Sequence, residues 1–231
     1  MCADYSGQPK RVGLFGGTFN PIHLGHLRAV QKAAEGFALD RVYLIPSAVP
    51  PHKALEGIAQ AEDRLEMTRL AVSDDPGLRV SDVELKRSGP SYTIDTVHHF
   101  RSVLPGDTEF CFIIGLDAFL EIDLWKSYRE LFERIPFIVM IRPGYGDKDS
   151  MPALLEKLGS LLKSRITEGY QYSASQHGYV HAENQPIYIF DANFMDISST
   201  KIRKQIKEGR SIRSLVPENV EYFIKTKGLF L

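Results

Sequence analysis

The chain has 231 residues, of which 43% are hydrophobic and 25% are charged. This composition is typical of a soluble globular protein and excludes disorder as the general state, because there is enough apolar material for a core. The 28 basic and 29 acidic side chains leave a formal net charge of −1, whereas a protein that coats nucleic acid usually carries a basic excess. No nucleic-acid partner is therefore expected, and a local site for a small anionic ligand remains open.

The two cysteines are too few for a disulfide framework or a zinc ribbon. Cys111 lies in an apolar run and is interpreted as a buried core residue, while Cys2 lies in a polar N-terminal tail. That tail lacks the apolar segment of a secretory signal, and no run of about 18 apolar residues predicts a membrane span. These features favour a cytoplasmic protein with no membrane partner.

Short apolar runs typical of buried strands alternate along the chain with longer amphipathic runs typical of helices. The predicted strands cover residues 11–15, 41–46, 78–85, 109–115, 136–141 and 187–190. The predicted helices cover residues 24–37, 60–73, 93–104, 128–134 and 198–209, with a last helix in 216–230. This alternation predicts a Rossmann-like α/β fold, a doubly wound parallel sheet with helices on both faces. Ligands are then expected beyond the carboxyl ends of the strands.

A single domain over residues 1–231 is expected, since roughly 150 residues per domain is usual. Residues 145–185 form a predicted insertion or lid: an amphipathic stretch at 151–165 precedes a polar tract rich in tyrosine and histidine. The segment is too short to bury a core of its own. A lid over a substrate and a contact between subunits both remain open for it, and so does an oligomer. The C-terminal segment, residues 198–231, is expected to be helical.

The first predicted strand runs directly into a segment with two glycines and two histidines, residues 16–26. Gly16 and Gly17 let the backbone turn sharply and bring its N–H groups close to a ligand. His23 and His26 are three residues apart at the start of the next helix, so both rings can lie on one face. Because a helix N-terminus also attracts anions, the segment predicts a polyphosphate site.

Other interpretations of this segment explain fewer of its residues. Two histidines at this spacing can ligate a metal, but no nearby cysteine or carboxylate completes a ligand set. Histidines that only pack in the core would leave the preceding glycines unexplained. The glycine fingerprint of dehydrogenases and the Gly-Lys-Ser/Thr ending of a P-loop are both absent from the segment.

A second candidate phosphate site lies far along the chain, at residues 197–203. Ser198 or Ser199 is a good N-cap for the helix that follows. The helix N-terminus, the Thr200 hydroxyl and the Arg203 guanidinium could converge on phosphate. Taken alone, the Ser-Ser-Thr sequence could equally be no more than a helix cap.

These two segments resemble a known family. Residues 16–26 are similar to the His-x-Gly-His signature of nucleotidyltransferases, and residues 197–203 are similar to their Ile-Ser-Ser-Thr-x-Ile-Arg motif. Three further segments resemble bacterial nicotinate mononucleotide adenylyltransferases: residues 87–96, residues 113–117 followed by Trp125, and residues 50–53. The resemblance spans residues 12–142 and 197–231, and it assigns no role to residues 144–185.

The resemblance implies an enzyme of NAD biosynthesis that transfers the adenylyl group of ATP to nicotinate mononucleotide, releasing pyrophosphate. His23, His26 and Arg203 would be its catalytic residues. Its ATP-binding residues would be Gly16, Gly17, Thr18, Phe19, His23, Gly25, His26, Asp117, Ile197, Ser198, Ser199, Thr200 and Arg203. Its residues for nicotinate mononucleotide would be Asn20, Lys53, Tyr92, Thr93 and Trp125.

The implied reaction needs no general base, because a phosphate nucleophile is already ionised near neutral pH. Mg²⁺ is the expected cofactor, held by the phosphates of ATP and by no protein side chain. A pantetheine-phosphate adenylyltransferase, another nucleotidyltransferase of the superfamily, and a nucleotide-binding regulator without turnover remain as alternatives.

Three of the implied site residues also have structural interpretations. Asp117 could cap a helix at residues 118–122. Trp125 could pack between helices. Lys53 could be an exposed loop lysine with no specific contact.

Overall fold

The structure is a computed structural model that describes residues 9–49, 57–141, 151–191 and 197–231. Its strands are β1 (Arg11–Gly17), β2 (Arg41–Pro46), β3 (Leu78–Val80), β4 (Glu109–Gly115), β5 (Phe137–Ile141), β6 (Gln171–Ser173), β7 (Gly178–Val180) and β8 (Ile187–Asp191). Its helices are α1 (Leu24–Gly36), α2 (Ala61–Ala71), α3 (Thr93–Val103), α4 (Leu116–Phe119), α5 (Tyr128–Arg134), α6 (Met151–Leu161), α7 (Ser199–Lys207) and α8 (Glu218–Lys227).

One sheet of eight strands has the order β3-β2-β1-β4-β5-β8-β7-β6. The strands from β3 to β8 along this order are parallel to one another. The predicted doubly wound α/β fold is therefore confirmed. The chain moves outward from β1 in both directions, so the strand order reverses between β1 and β4, where such folds bind ligands.

One edge of the sheet departs from the predicted parallel arrangement, since β7 runs antiparallel to β8 and β6 antiparallel to β7. Both added strands come from the polar tyrosine-rich tract, for which no strand was predicted. The register pairs Tyr172 with Tyr179, yet only Tyr179 is buried. An edge hairpin with one solvated face carries too few apolar residues to give a strand signal in the sequence.

The first edge strand is shorter than predicted, since β3 ends at Val80 and not at residue 85. It pairs with β2 alone, so its hydrogen bonds to the sheet end where the chain turns away from β2. The chain then turns inward and buries the carboxyl group of Glu84, which is 7% exposed. The apolar residues beyond Val80 therefore belong to a turn and not to the strand.

Apolar side chains cover both faces of the sheet. Along β4, Phe110, Phe112 and Ile114 point to one cluster, while Cys111 and Ile113 point to the other. The prediction that Cys111 is buried is confirmed, and burial raises the pKa of its thiol to about 12. Cys2 lies outside the described residues.

Helix α6 and the π-helical turn that follows it, Leu162–Ile166, pack on the same core as the sheet. Leu154, Leu158 and Leu162 are among the buried residues of that cluster. The part of the predicted insertion that the structure describes is therefore built onto the main domain. Among the described residues, no helix is both long enough and apolar enough to cross a membrane.

Candidate active site

Two neighbouring cavities lie at the carboxyl ends of β1 and β4. The larger, here called the histidine cavity, has a volume of about 490 Å³ and is lined by His23, His26 and Arg203. The smaller, here called the tryptophan cavity, has a volume of about 250 Å³ and is lined by Tyr92 and Trp125. The two cavities adjoin and share a wall, formed by Gly16, Gly17, Thr18, Gly115 and Ala118.

The structure brings together two sets of residues that are far apart in the sequence. Every residue that the resemblance assigned to ATP lines the histidine cavity, from Gly16 at the end of β1 to Arg203 on α7. Of the residues assigned to the mononucleotide, Tyr92, Thr93 and Trp125 line the tryptophan cavity. Asn20 lies instead in the wall of the histidine cavity, and Lys53 lies outside the described residues.

His23 and His26 form a stacked pair at the start of α1, with ring centroids 3.6 Å apart and planes inclined by 20°. The His26 backbone N–H donates to Nδ1 of His23, and the His23 backbone N–H donates to Nδ1 of His26, both at 3.3 Å. A ring nitrogen that accepts a hydrogen bond carries no proton, so the proton of each neutral ring is on Nε2. The helix cap thus sets both tautomers and places the N–H of each ring on Nε2.

The glycine between the two histidines lies in a closely packed position. A Cβ atom at Gly25 would lie 3.1 Å from Nδ1 of His23 and 3.4 Å from the Cβ of Ile197. A side chain at this position would therefore require the His23 ring to shift by a few tenths of an ångström. Phe19 supports the pair from the other side, with its ring edge-to-face against His26 at 5.3 Å.

Helix α7 is fastened to the loop after β1 by side-chain hydrogen bonds. Ser198 is the N-cap and accepts from the Lys201 N–H at 3.2 Å. The Ser199 hydroxyl donates to the Pro21 carbonyl at 2.9 Å, and the Arg203 guanidinium donates to the Asn20 carbonyl at 2.9 Å. The serines therefore have a structural role, and the same contacts hold Arg203 against the cavity.

Asn20 uses its side-chain amide to hold the next loop. Its Nδ2 donates to the Gly57 carbonyl at 3.0 Å, and its Oδ1 accepts from the Ala59 N–H at 3.0 Å. The contact with a mononucleotide predicted for Asn20 stays a prediction, since its amide is engaged with the backbone in this structure.

Asp117 lies inside α4 and does not cap it, because the N-cap is Gly115. A Cβ atom at Gly115 would lie 2.6 Å from Oδ1 of Asp117. Glycine at this strand end therefore leaves room for the carboxylate, which lines the histidine cavity. The alternative of Asp117 as an N-cap is wrong, because the helix starts two residues earlier than predicted.

The tryptophan cavity combines an aromatic wall with a helix N-terminus. Trp125 packs edge-to-face on Phe112, with ring centroids 6.1 Å apart. Tyr92 is the N-cap of α3 and makes no side-chain cap, so the backbone N–H groups of the first turn face no capping side chain. Lys126 lies over the Tyr92 ring at 4.6 Å and forms an ion pair with Asp95 at 3.1 Å. It adds a cation to this cavity that the sequence did not single out.

A buried carboxyl group, Glu84, also lines the tryptophan cavity. It accepts a hydrogen bond from the Thr96 hydroxyl at 2.7 Å. Burial raises the pKa of Glu84, while the Thr96 and Ser91 hydroxyls and the charge of Arg87 oppose the rise. Sequence reasoning missed Glu84 because it assigned this residue to a strand.

The raised pKa of Glu84 predicts a specific pH dependence of stability. A carboxyl group with a higher pKa in the folded state binds more protons there, so its contribution to the free energy of unfolding falls as pH rises through that pKa. Relative to the Glu84→Gln variant, the parent should therefore lose stability as pH rises above the ordinary pKa of a glutamate, about 4.3. Thermal midpoints of both proteins across this rise in pH measure the effect. Glu133→Gln, which changes an exposed carboxyl group, is the control. A difference in thermal midpoint between the parent and Glu84→Gln that does not change with pH would contradict the prediction.

Comparisons with known proteins agree with this arrangement. The cytidylyltransferase-like family matches residues 14–205. The chain is 45% identical to a probable nicotinate-nucleotide adenylyltransferase of Desulfatibacillum aliphaticivorans over 223 residues, which cover 96% of this chain and 100% of the relative. It is 41% identical to the probable nicotinate-nucleotide adenylyltransferase of Geobacter sulfurreducens over 220 residues, covering 95% of this chain and 98% of the relative.

Solved structures share the fold. The nicotinic acid mononucleotide adenylyltransferase of Plasmodium falciparum complexed with NaAD is similar with a TM-score of 0.70 at 16% identity, over 96% of this chain and 97% of that chain. The match to the family over most of the chain, together with relatives of 41% and 45% identity, places this chain in the nicotinate-nucleotide adenylyltransferase family, within the cytidylyltransferase-like proteins.

Proposed function

We propose that this protein transfers the adenylyl group of ATP to nicotinate mononucleotide, giving nicotinate adenine dinucleotide and pyrophosphate in NAD biosynthesis. The observation that carries the proposal is the common wall between the two cavities. The histidine cavity offers phosphate donors, and the tryptophan cavity offers an aromatic face beside a helix N-terminus. Two substrates bound side by side along this shared wall could bring a phosphate of one next to a phosphate of the other.

In this proposal the chain's own groups act by positioning and by charge neutralisation. The phosphate of the mononucleotide attacks the α-phosphorus of ATP, a new P–O bond forms, and the bond to pyrophosphate breaks. Nε2–H of His23, Nε2–H of His26 and the Arg203 guanidinium donate to the phosphate oxygens whose charge grows in the transition state. No side chain has to remove a proton from the nucleophile.

We expect Mg²⁺ to accompany ATP. Among the described residues, no group of three potential ligands could hold a metal ion, and Asp117 is the carboxylate in the lining of the histidine cavity. These residues fit an ion held mainly by substrate phosphates and water, which is the usual way that Mg²⁺ binds with ATP. Its chemistry would be to neutralise phosphate charge.

A pyrophosphate-release assay with ATP and a panel of acceptors tests the function. Nicotinate mononucleotide should give turnover, whereas phosphopantetheine, the acceptor of the main alternative, should not. Release with phosphopantetheine but not with the mononucleotide would contradict the proposal, and binding without any turnover would indicate a regulator. We propose that this reaction takes place in the cytoplasm.

The two cavities predict opposite substrate effects for two variants. Arg203→Ala should weaken the binding of ATP by about 10-fold, because a charge-assisted hydrogen bond to phosphate is lost. Trp125→Ala should weaken the binding of the mononucleotide by about 10-fold, because stacking on the pyridine ring is lost. KM for each substrate measures both effects. Lys204→Ala is the control, since Lys204 is an exposed cation on the same helix as Arg203. Equal losses for both substrates in both variants would indicate a shared structural role.

A further inference from the structure

A buried arginine lies between the loops that form the two cavities. Arg64, on helix α2, is 1% exposed, and sequence reasoning missed it because it belongs to an amphipathic helix far from the recognised motifs. Burial lowers the pKa of its guanidinium, and the charge of Glu62 opposes that effect. Arginine stays protonated at neutral pH even so. Burial of a charge costs free energy, so this side chain needs hydrogen bonds that compensate for its lost hydration.

The guanidinium donates to four backbone carbonyls. Nη1 donates to Thr18 at 2.9 Å and to Ser47 at 2.6 Å, while Nη2 donates to Ala48 at 3.0 Å. Nε donates to Ala59 at 3.0 Å. No carboxylate in the described part of the chain forms an ion pair with it. The side chain therefore ties the loop after β1 to the loop after β2 and to the segment before α2.

The connection continues to the tryptophan cavity through Ser91. The Ala48 N–H donates to the Ser91 hydroxyl at 2.9 Å, and the Ser91 N–H donates to the Val49 carbonyl at 3.1 Å. Ser91 directly precedes Tyr92, the N-cap of α3. At the other end, Thr18 belongs to the wall that both cavities share.

We propose that Arg64 is a positioning residue that fixes the separation of the two substrates, by joining the loop at Thr18 to the start of α3 through Ser47, Ala48 and Ser91. This inference rests on the proposed function. Transfer between two bound molecules requires their reacting atoms to lie about 3–3.5 Å apart, and a displacement of about 1 Å can cost roughly 100-fold in rate. Loss of the connection should therefore lower the rate of transfer more than the binding of either substrate.

Lysine should not replace arginine here, although it keeps the positive charge. The planar guanidinium presents five N–H donors in fixed directions, whereas an ammonium group presents all its donors from one atom. A single ammonium could reach one loop but could not hold three segments at once. Arg64→Lys therefore separates the effect of the charge from the effect of the connection.

The test compares Arg64→Lys, Ser91→Ala and the control Thr68→Val, in which a buried hydroxyl on the same helix is lost. Steady-state kinetics gives kcat, and calorimetry with a non-reactive α,β-methylene analogue of ATP gives its affinity. Quenching of the fluorescence of Trp125, the one tryptophan of the chain, measures the binding of nicotinate mononucleotide.

We expect Arg64→Lys to lower kcat by about 10- to 100-fold while each separate affinity stays within about threefold. Thr68→Val should lose stability without a comparable loss of kcat. Because Arg64 and Ser91 belong to one connection, the double variant should lose little more than Arg64→Lys alone.

The inference would be overturned by an unchanged kcat in Arg64→Lys. It would also be overturned if kcat and both affinities fell only in proportion to the thermal midpoint, or if the losses of kcat in the two single variants added up in the double variant. Ser91→Ala, at a partly exposed position, keeps the test valid should Arg64→Lys fail to fold, since it should lower kcat with both affinities retained. An inactive parent would contradict the proposed function, whereas an active parent matched by both variants would contradict this inference alone.

Discussion

Replacement of His23 or His26 by alanine should lower kcat by about 10²- to 10³-fold and raise KM for ATP much less, since each ring loses a donor that acts mainly in the transition state. The stacked pair, with both Nδ1 atoms engaged by backbone N–H groups, is arranged so that the donors are in place before reaction. Steady-state kinetics with saturating nicotinate mononucleotide and Mg²⁺ measures the effect.

His23 has a second role that the experiment must separate from the first. It is the N-cap of α1, and loss of a cap costs about 1 kcal/mol of stability. Asparagine is also a good N-cap but has no Nε2–H donor, so His23→Asn should keep the thermal midpoint near that of the parent and still lose kcat. Turnover within about threefold of the parent in both alanine variants would contradict the catalytic role.

The enzyme should prefer nicotinate mononucleotide over nicotinamide mononucleotide by about 10- to 100-fold in kcat/KM. The pyridine carboxylate would meet the backbone N–H groups at the start of α3, and Lys126, which is paired with Asp95, lines the same cavity. An amide would point its own NH₂ donors at these donors, and an unmatched buried pair costs about 1–3 kcal/mol. Measurement of kcat/KM for both acceptors with saturating ATP tests the preference.

One backbone donor can be removed without removing the helix. Thr93 is the first residue of α3, and Tyr92 before it has an extended backbone, which is the conformation that precedes a proline. Proline is well tolerated at this helix position and has no N–H. Thr93→Pro should therefore reduce the preference for nicotinate, while Thr93→Ala, which keeps the N–H, should not. Equal kcat/KM for both acceptors in the parent would remove the carboxylate-recognition argument and leave adenylyl transfer intact.

The motifs to which we assign the phosphate chemistry could be recognised without the structure. The two glycines, the histidine pair and the Ile-Ser-Ser-Thr-x-Ile-Arg segment are local patterns, and a strand-turn-helix is specified by residues close in sequence. The alternation of strands and helices likewise predicted the α/β fold, because each element has its own hydrophobic period. Asn20 shows the limit of this reasoning: its motif is local, but its amide partners, Gly57 and Ala59, come from another loop.

The sequence by itself determined the fold class and the position of Cys111 in the core, and its family resemblance picked out the residues assigned to ATP, which line the histidine cavity. Only the tertiary structure decided that β6 and β7 extend the sheet, that Glu84 turns inward, and that Arg64 joins the loops of the two cavities. Each of these depends on partners far away in the chain: an edge strand exists only where β8 offers a ladder, and a buried charge is retained only where carbonyls from separate loops meet it. Periodicity and motifs describe neighbours in sequence, whereas these contacts arise after the chain has folded.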